Sequence, residues 1–311
     1  MEERERMRTV LFPGDTGYKS YVRVIRGLRK YTKSMDPRHI GKLLGIKNFL
    51  YVVYKINNYC NLNCEFCNYA CDIPISKDSS HPCRRKKEEI SVEEATLFCE
   101  RFKKVSIPEI QWTGGEPTML PTGKFNAVID IFNFYGKDVG ILTNGYNLLN
   151  IDKDVLKKFK SIYFDDHVIN REHIDRCIEY LKGFYRGLVM IWTTPFHYDF
   201  HETMKHDSNK GKSCSRWMTE IKVDDYVVYP CCTMPAMMIL DKSTRLREEL
   251  EHSGWTLRNE NLIETMINYR KTLPGYVIDQ CLNNCWMPNY DAGRTRVKIT
   301  LKSKDIIFKK L

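Results

Sequence analysis

Residues 60 to 71, CNLNCEFCNYAC, place four thiols in one short stretch, and ligands this soft at this density carry chemical meaning before any fold is assigned. Thiolates favour zinc and iron–sulfur clusters over hard cations. Cys60, Cys64 and Cys67 keep the spacing CxxxCxxC, and Cys71 is available to complete a four-thiolate site. Spacing alone leaves two readings open: a closed tetrahedral zinc site, or a cluster held by three ligands. A second set of thiols comes late in the chain, at Cys214, the pair Cys231 and Cys232, and Cys281 with Cys285.

Composition narrows the setting. The chain has 311 residues, 42% hydrophobic and 28% charged, which suits one large α/β domain or a main domain with a small appendage. No apolar run approaches the roughly 20 residues that span a bilayer, and the charged start MEERERMRTV does not read as a secretory signal. These features predict a cytoplasmic protein with no membrane partner, and in a reducing compartment clustered cysteines act as metal ligands more often than as disulfides. Twelve cysteines therefore carry functional information. The net charge of +10 is uneven, because residues 1 to 48 hold 12 Lys and Arg against 5 Asp and Glu. The segment RVIRGLRKYTK suits a phosphate, a nucleic acid or an acidic protein, or is simply a solvated helix face. With Tyr31 its one aromatic and no nucleic-acid motif in it, nucleic acid is not the expected partner.

The elements that must position these residues follow from pattern. NFLYVVYKIN, residues 48 to 57, reads as a buried strand running into Cys60. SVEEATLFCERFKKV opens with a Ser N-cap and a capping-box Glu, then keeps helical spacing. EIQW is a strand ending in the turn TGGEPT, and strand and helix then alternate through VGILTNG, SIYFDD and GLVMIWTTP. This rhythm predicts a parallel sheet with helical crossovers, open or closed into a barrel. Functional sites in such folds lie at the carboxyl ends of the strands, where Cys60, Thr113, Thr143, Asp165 and Thr193 all fall. After residue 205 the rhythm changes: WMTEIKVDDYVVYPCC reads as two strands joined by the turn VDD, followed by a helix near 258 to 271.

CxxxCxxC after the first strand, GGEP after the second and TNG after the third together resemble the radical S-adenosylmethionine (SAM) superfamily over about residues 48 to 200. The resemblance implies a partial (β/α)6 TIM-like barrel at 48–205, preceded by a basic extension at 1–47. It implies that Cys60, Cys64 and Cys67 ligate three irons of a 4Fe-4S cluster, whose fourth iron binds SAM. Phe66 matches the aromatic residue that packs on adenine. Gly114, Gly115, Glu116 and Pro117 match the turn that meets the methionine amino group, with Glu116 accepting from the ammonium. Asp165 or Asp166, and also Asn144, are candidates for the ribose hydroxyls. The implied activity is reductive cleavage of SAM to a 5′-deoxyadenosyl radical that abstracts a substrate hydrogen, with a reductase or flavodoxin-type protein as electron donor.

The late thiols resemble the twitch or SPASM auxiliary-cluster domains of that superfamily, here a small β-hairpin plus helix domain at 206–311. By that resemblance Cys214, Cys231, Cys281 and Cys285 hold a second 4Fe-4S cluster, although the closing CxxxC departs from the usual CxxC. Cys232 is a spare ligand, a packing residue, or a catalytic thiol that returns a hydrogen atom to a substrate radical. A cluster with four protein ligands moves electrons and so favours oxidation of a small or phosphorylated metabolite. A peptide substrate, epimerised or cross-linked, is the second reading, though a leader-recognition domain is not expected within the first 48 residues. A zinc-stabilised nucleic-acid-binding protein is the third. Cys99 and Cys177 are expected in the core, Cys83 in a loop, His197 and His201 as a solvated pair, and Asp224 and Asp225 in a turn.

Overall fold

The computed structural model describes residues 51–62, 88–105, 107–167, 169–193, 220–231, 234, 244–283, 295–301 and 306–310. The basic leader, Cys64, Phe66, Cys67, Cys71, Cys83, His197, His201, Cys214, Cys232 and Cys285 lie outside these residues.

Five parallel strands follow one another in space as in sequence: β1 (Tyr51–Asn57), β2 (Ile110–Gly114), β3 (Val139–Thr143), β4 (Ser161–Asp166) and β5 (Leu188–Thr193). Between them run α1 (Val92–Arg101), α2 (Thr122–Phe134), α3 (Lys153–Leu156) and α4 (Arg171–Lys182). Helices cover one face of the sheet, and that face is aromatic. Tyr54 of β1 meets Phe98 of α1 edge to face at 5.0 Å, and Trp112 of β2 meets Phe125, Phe132 and Phe159 at 5.6, 5.6 and 5.2 Å. Because side chains alternate along a strand, the neighbours of these aromatics point the other way. The opposite face is accordingly polar yet buried, with Lys55, Gln111, Thr113, Ser161, Tyr163 and Lys222. Cys99 and Cys177 sit in the core on the helical side, where burial pushes both thiols up to about 12.

The sheet extends at both edges. β6 (Glu220–Asp224) pairs parallel with β1, and β7 (Val227–Tyr229) pairs antiparallel with β6. Beyond β5 lie the antiparallel strands β8 (Thr295–Leu301) and β9 (Ile306–Lys310), which the sequence reading did not include. The order is β7-β6-β1-β2-β3-β4-β5-β8-β9. A sixth parallel strand thus exists, but it flanks β1 instead of following β5, and strands from both sides of residue 206 share one sheet. The helix anticipated near 258 to 271 is two short ones, α6 (Leu262–Ile267) and α7 (Tyr269–Thr272), between α5 (Arg245–His252) and α8 (Gly275–Asn283).

Two local expectations are corrected. Asp224 is not a turn residue: it ends β6, and its Oδ1 lies 2.6 Å from Lys55 Nζ in a buried ion pair that fastens β6 to β1, with Glu88 at 3.5 Å. The turn is Asp225–Tyr226, with φ of 46° and 66°, the left-handed pair that a two-residue hairpin requires. Tyr226 is kept there by the Arg258 guanidinium 4.1 Å from its ring centroid and by Ser91 Oγ 3.1 Å from its hydroxyl. Ser91 does cap α1, accepting from Glu94 N at 2.9 Å, but the Glu94 carboxylate does not return to the cap. It accepts instead from the Tyr54 hydroxyl at 3.0 Å, because a buried phenol needs a partner, and from Tyr226 N at 3.5 Å. Among the described residues no helix is long and apolar enough to cross a membrane.

Burial pushes the Glu94 carboxyl up to about 7 from its ordinary 4.5, against the pull of the Tyr54 and Tyr226 hydrogen bonds. The folded state therefore holds a proton that the unfolded state releases between these values, so this group's effect on stability declines as pH rises through that window. Glu94→Gln keeps an oxygen for Tyr54 and has no charge to desolvate. The melting temperature of the variant relative to wild type is expected to climb from pH 4.5 to 7 and level off above, read by thermal unfolding across that range.

Candidate functional site

The first cysteine is held by the end of β1 and by the turn after β2. Gly115 N donates to Asn57 O and Glu116 N to Tyr59 O, both at 2.8 Å. Asn57 Nδ2 donates back to Glu116 O at 2.8 Å, and the Tyr59 hydroxyl donates to Glu89 Oε1 at 2.6 Å. Such closeness excludes side chains. A Cβ on Gly115 would lie 1.8 Å from Tyr59 O, and one on Gly114, whose φ is +134°, would lie 2.2 Å from Asn57 O. The glycines of the GGEP turn are thus required by the backbone of Asn57 and Tyr59, which leads into Cys60.

Glu116 is buried and holds the neighbouring turns together. Its Oε1 accepts from Thr118 N at 3.1 Å, Thr118 Oγ1 at 2.5 Å and Thr143 Oγ1 at 2.6 Å, and its Oε2 accepts from Asn144 N at 2.8 Å. Burial pushes this carboxyl up, while the Asn144, Thr118 and Thr143 donors pull it down, with burial the larger effect. Pro117 opens a single 3-10 turn (Pro117–Met119), for which Glu116 is also the cap.

Asn144, at the end of β3, faces the cysteine. Its Nδ2 lies 3.6 Å from Cys60 Sγ and 2.8 Å from Asn61 Oδ1, and Leu62 N donates to the same sulfur at 3.3 Å. Asn170, fully buried, donates through Nδ2 to Asn144 O and to Asp165 O, both at 2.8 Å, and accepts from His167 N at 2.8 Å. The two aspartates separate by face. Asp166 accepts from Arg171 Nε at 3.0 Å, from Arg171 Nη2 and from Thr193 Oγ1 at 3.2 Å. Asp165 is less buried and lies on the polar face beside Trp192 in register, with His167 Nε2 3.7 Å away.

Cys60, Gly114, Gly115, Glu116, Pro117, Asn144 and Asp165 therefore share one rim, and Asp166, at the end of β4, is tied to Arg171 and Thr193. Thr143, expected at a strand end, lies on this rim through its bond to Glu116, and Asn57, Asn61 and Asn170, which the sequence motifs did not mark, complete it. In the second half, Cys231 is buried just past β7, its carbonyl accepting from Met234 N at 3.3 Å. Cys281 lies in α8, and α5 packs against both β7 and α8. Among the described residues no three His, Cys, Asp or Glu side chains gather as a metal site.

Comparison with known proteins finds one family model that matches part of the chain. Residues 54–186 match the model of the radical SAM superfamily. Among solved structures, Streptococcus suis SuiB bound to S-adenosylmethionine is 17% identical, with 53% of this chain and 42% of that one covered and a TM-score of 0.34. BtrN in complex with AdoMet and 2-DOIA is 17% identical, covering 69% of this chain and 93% of that one, with a TM-score of 0.41. The anSMEcpe structure with bound AdoMet is 16% identical, covering 45% and 42%, with a TM-score of 0.33. In these matches the chain spans less than half the length of the S-adenosylmethionine-bound SuiB chain and of the anSMEcpe chain. The comparison with curated proteins returned no match.

The glycine argument yields a paired test. Gly115→Ala is expected to destabilise the fold by roughly 1–3 kcal/mol or more, since a backbone carbonyl must move. Gly123→Ala, in α2 with nothing within 4 Å of the added Cβ, is expected to be neutral or to stabilise by about 0.4–1 kcal/mol. Urea denaturation of both variants checks the contrast.

Proposed function

We propose that the chain is a radical SAM enzyme. The observation that carries the reading is the setting of Cys60: its sulfur stands at the carboxyl end of a central strand, beside the GGEP turn, with N–H groups of Leu62 and Asn144 directed at it. That setting fits a thiolate ligand of an iron–sulfur cluster, which carries negative charge and is stabilised by N–H donors. The superfamily match over residues 54–186 supports the same reading.

In this reading Cys60, Cys64 and Cys67 hold three irons of a 4Fe-4S cluster and leave the fourth for SAM. When bound, the cluster supplies the electron that cleaves SAM to a 5′-deoxyadenosyl radical, which removes a hydrogen atom from the substrate. The protein's own part is binding and orientation. Oε2 of Glu116 accepts one hydrogen bond from the chain and keeps a lone pair for the methionine ammonium. Asp165 is better placed for ribose hydroxyls than Asp166, whose carboxylate is engaged by Arg171 and Thr193. Phe66 is assigned to the adenine. Substrate is assigned to the rim beside the buried polar face, where exclusion of water would suit the chemistry.

The second half extends the proposal. Cys214, Cys231, Cys281 and Cys285 hold an auxiliary 4Fe-4S cluster in a twitch-like region at 206–311, supported by the contact of α5 with both β7 and α8. With all four positions taken by protein thiolates, a cluster held there would supply electron transfer and not substrate binding, which favours a net oxidation. The basic residues within 1–48 favour a small or phosphorylated metabolite.

Anaerobic reconstitution tests the assignment. Wild type is expected to bind iron and sulfide in equal amounts and to release 5′-deoxyadenosine from SAM on reduction. Cys60→Ser, Cys64→Ser and Cys67→Ser each abolish that release, Cys71→Ser leaves iron content unchanged, and Cys281→Ser loses one cluster's worth of iron. Zinc in place of iron, with SAM left intact, would overturn the reading.

A further inference from the structure

We propose that Asn144 is a positioning residue that raises the reduction potential of the cluster held by Cys60, through an amide N–H···S hydrogen bond to that ligand. The inference rests on the radical SAM reading above and concerns a residue for which a ribose contact was the expectation.

An account of the polar atoms of Asn144 leads to it. Its backbone N–H is taken by Glu116 Oε2 at 2.8 Å, and its carbonyl accepts from Asn170 Nδ2 at 2.8 Å. Its side-chain oxygen accepts from Tyr146 N at 3.1 Å. This last bond fixes which way the amide points, because a flipped group would set its NH2 against the Tyr146 N–H. Two amide hydrogens remain, and two acceptors face them: Asn61 Oδ1 at 2.8 Å and Cys60 Sγ at 3.6 Å. Asn144 is itself buried, so its dipole acts on the sulfur with little screening by water. Backbone anchors keep it there, with Glu116 and Asn170 both buried.

The electrical consequence has a definite sign. Reduction of a cluster adds negative charge that spreads onto its sulfurs, and a donor aimed at a sulfur stabilises the reduced form more than the oxidised one. Removing that donor makes reduction harder. Replacing it with a carboxylate adds repulsion to the loss.

Potentiometric titration of the reconstituted full-length protein, followed by the electron paramagnetic resonance signal that SAM perturbs, tests this directly. Asn144→Ala is expected to move the midpoint to a more negative potential. Asn144→Asp, which keeps the oxygen that meets Tyr146, is expected to move it further. Unfolding temperature and iron content of each variant are measured alongside. On wild type, asparagine labelled with 15N in its side-chain amide should show a coupling to the reduced cluster that disappears in both variants, and this measurement decides the matter if either variant fails to hold iron. An unchanged midpoint at full iron content, or no Asn144-dependent 15N coupling in wild type, overturns the inference while leaving the family reading intact. A wild-type protein that binds no cluster overturns both.

Discussion

Parallel strands end with backbone donors and acceptors that no ladder partner satisfies, and in a buried rim those groups must be paired or the fold loses stability. Side chains meet that requirement here. Asn57 ties β1 to the turn after β2, Glu116 ties that turn to the end of β3, Asn170 ties the end of β3 to that of β4, and Asp166 ties β4 to Thr193 of β5. The rim is thereby laced from the first strand to the fifth. Among the described residues Cys60, Glu116, Asn144 and Asp165 hang from this lacing, so their geometry is set by neighbours whose own partners are fixed.

The two faces of the sheet divide the labour. Edge-to-face packing of Tyr54, Trp112 and the surrounding phenylalanines gives the helical side a dense, directional core. The other side keeps polar groups under cover, where each must be paired. Glu109 shows the cost of that arrangement: burial pushes its carboxyl up although Ser161 and the Tyr163 hydroxyl, at 2.7 Å, both donate to it. On the helical side burial likewise pushes the Glu94 carboxyl up, and its bond to Tyr54 offsets part of that.

Much of this was legible in the sequence because it is local. Strands β1 to β5 announce themselves by β-branched and aromatic runs, and the four helices between them by apolar spacing, so the parallel core follows from pattern alone. The rim residues Cys60, Glu116 and Asn144 were likewise visible as strand-end residues in motifs. Their mutual bonds were not, since nothing in the string TNG says that its asparagine turns toward a sulfur 84 positions earlier. Long-range pairing escaped for the same reason. Asp224 reads as a turn residue in VDD until Lys55, 169 positions away, claims it, and the place of β6 beside β1 depends on that non-local contact. Strand β8 takes its place from the partner that β5 supplies, and the edge strand β9 takes its place from β8, so both depend on a non-local pairing.

The hairpin register bears on how far apart the two proposed metal centres stand. Val53 is level with Lys222, and Lys222 with Tyr229, so β7 runs away from the rim that β1 approaches. Cys60 and Cys231 consequently leave this ribbon at opposite ends. Four strand residues from Val53 to Asn57 and two more from Tyr229 to Cys231, at about 3.3 Å each, separate the two exits by on the order of 20 Å. Thiols so placed cannot exchange or share a substrate atom by contact. On the proposed function, centres built on these two thiols would be coupled by electron transfer and not by contact.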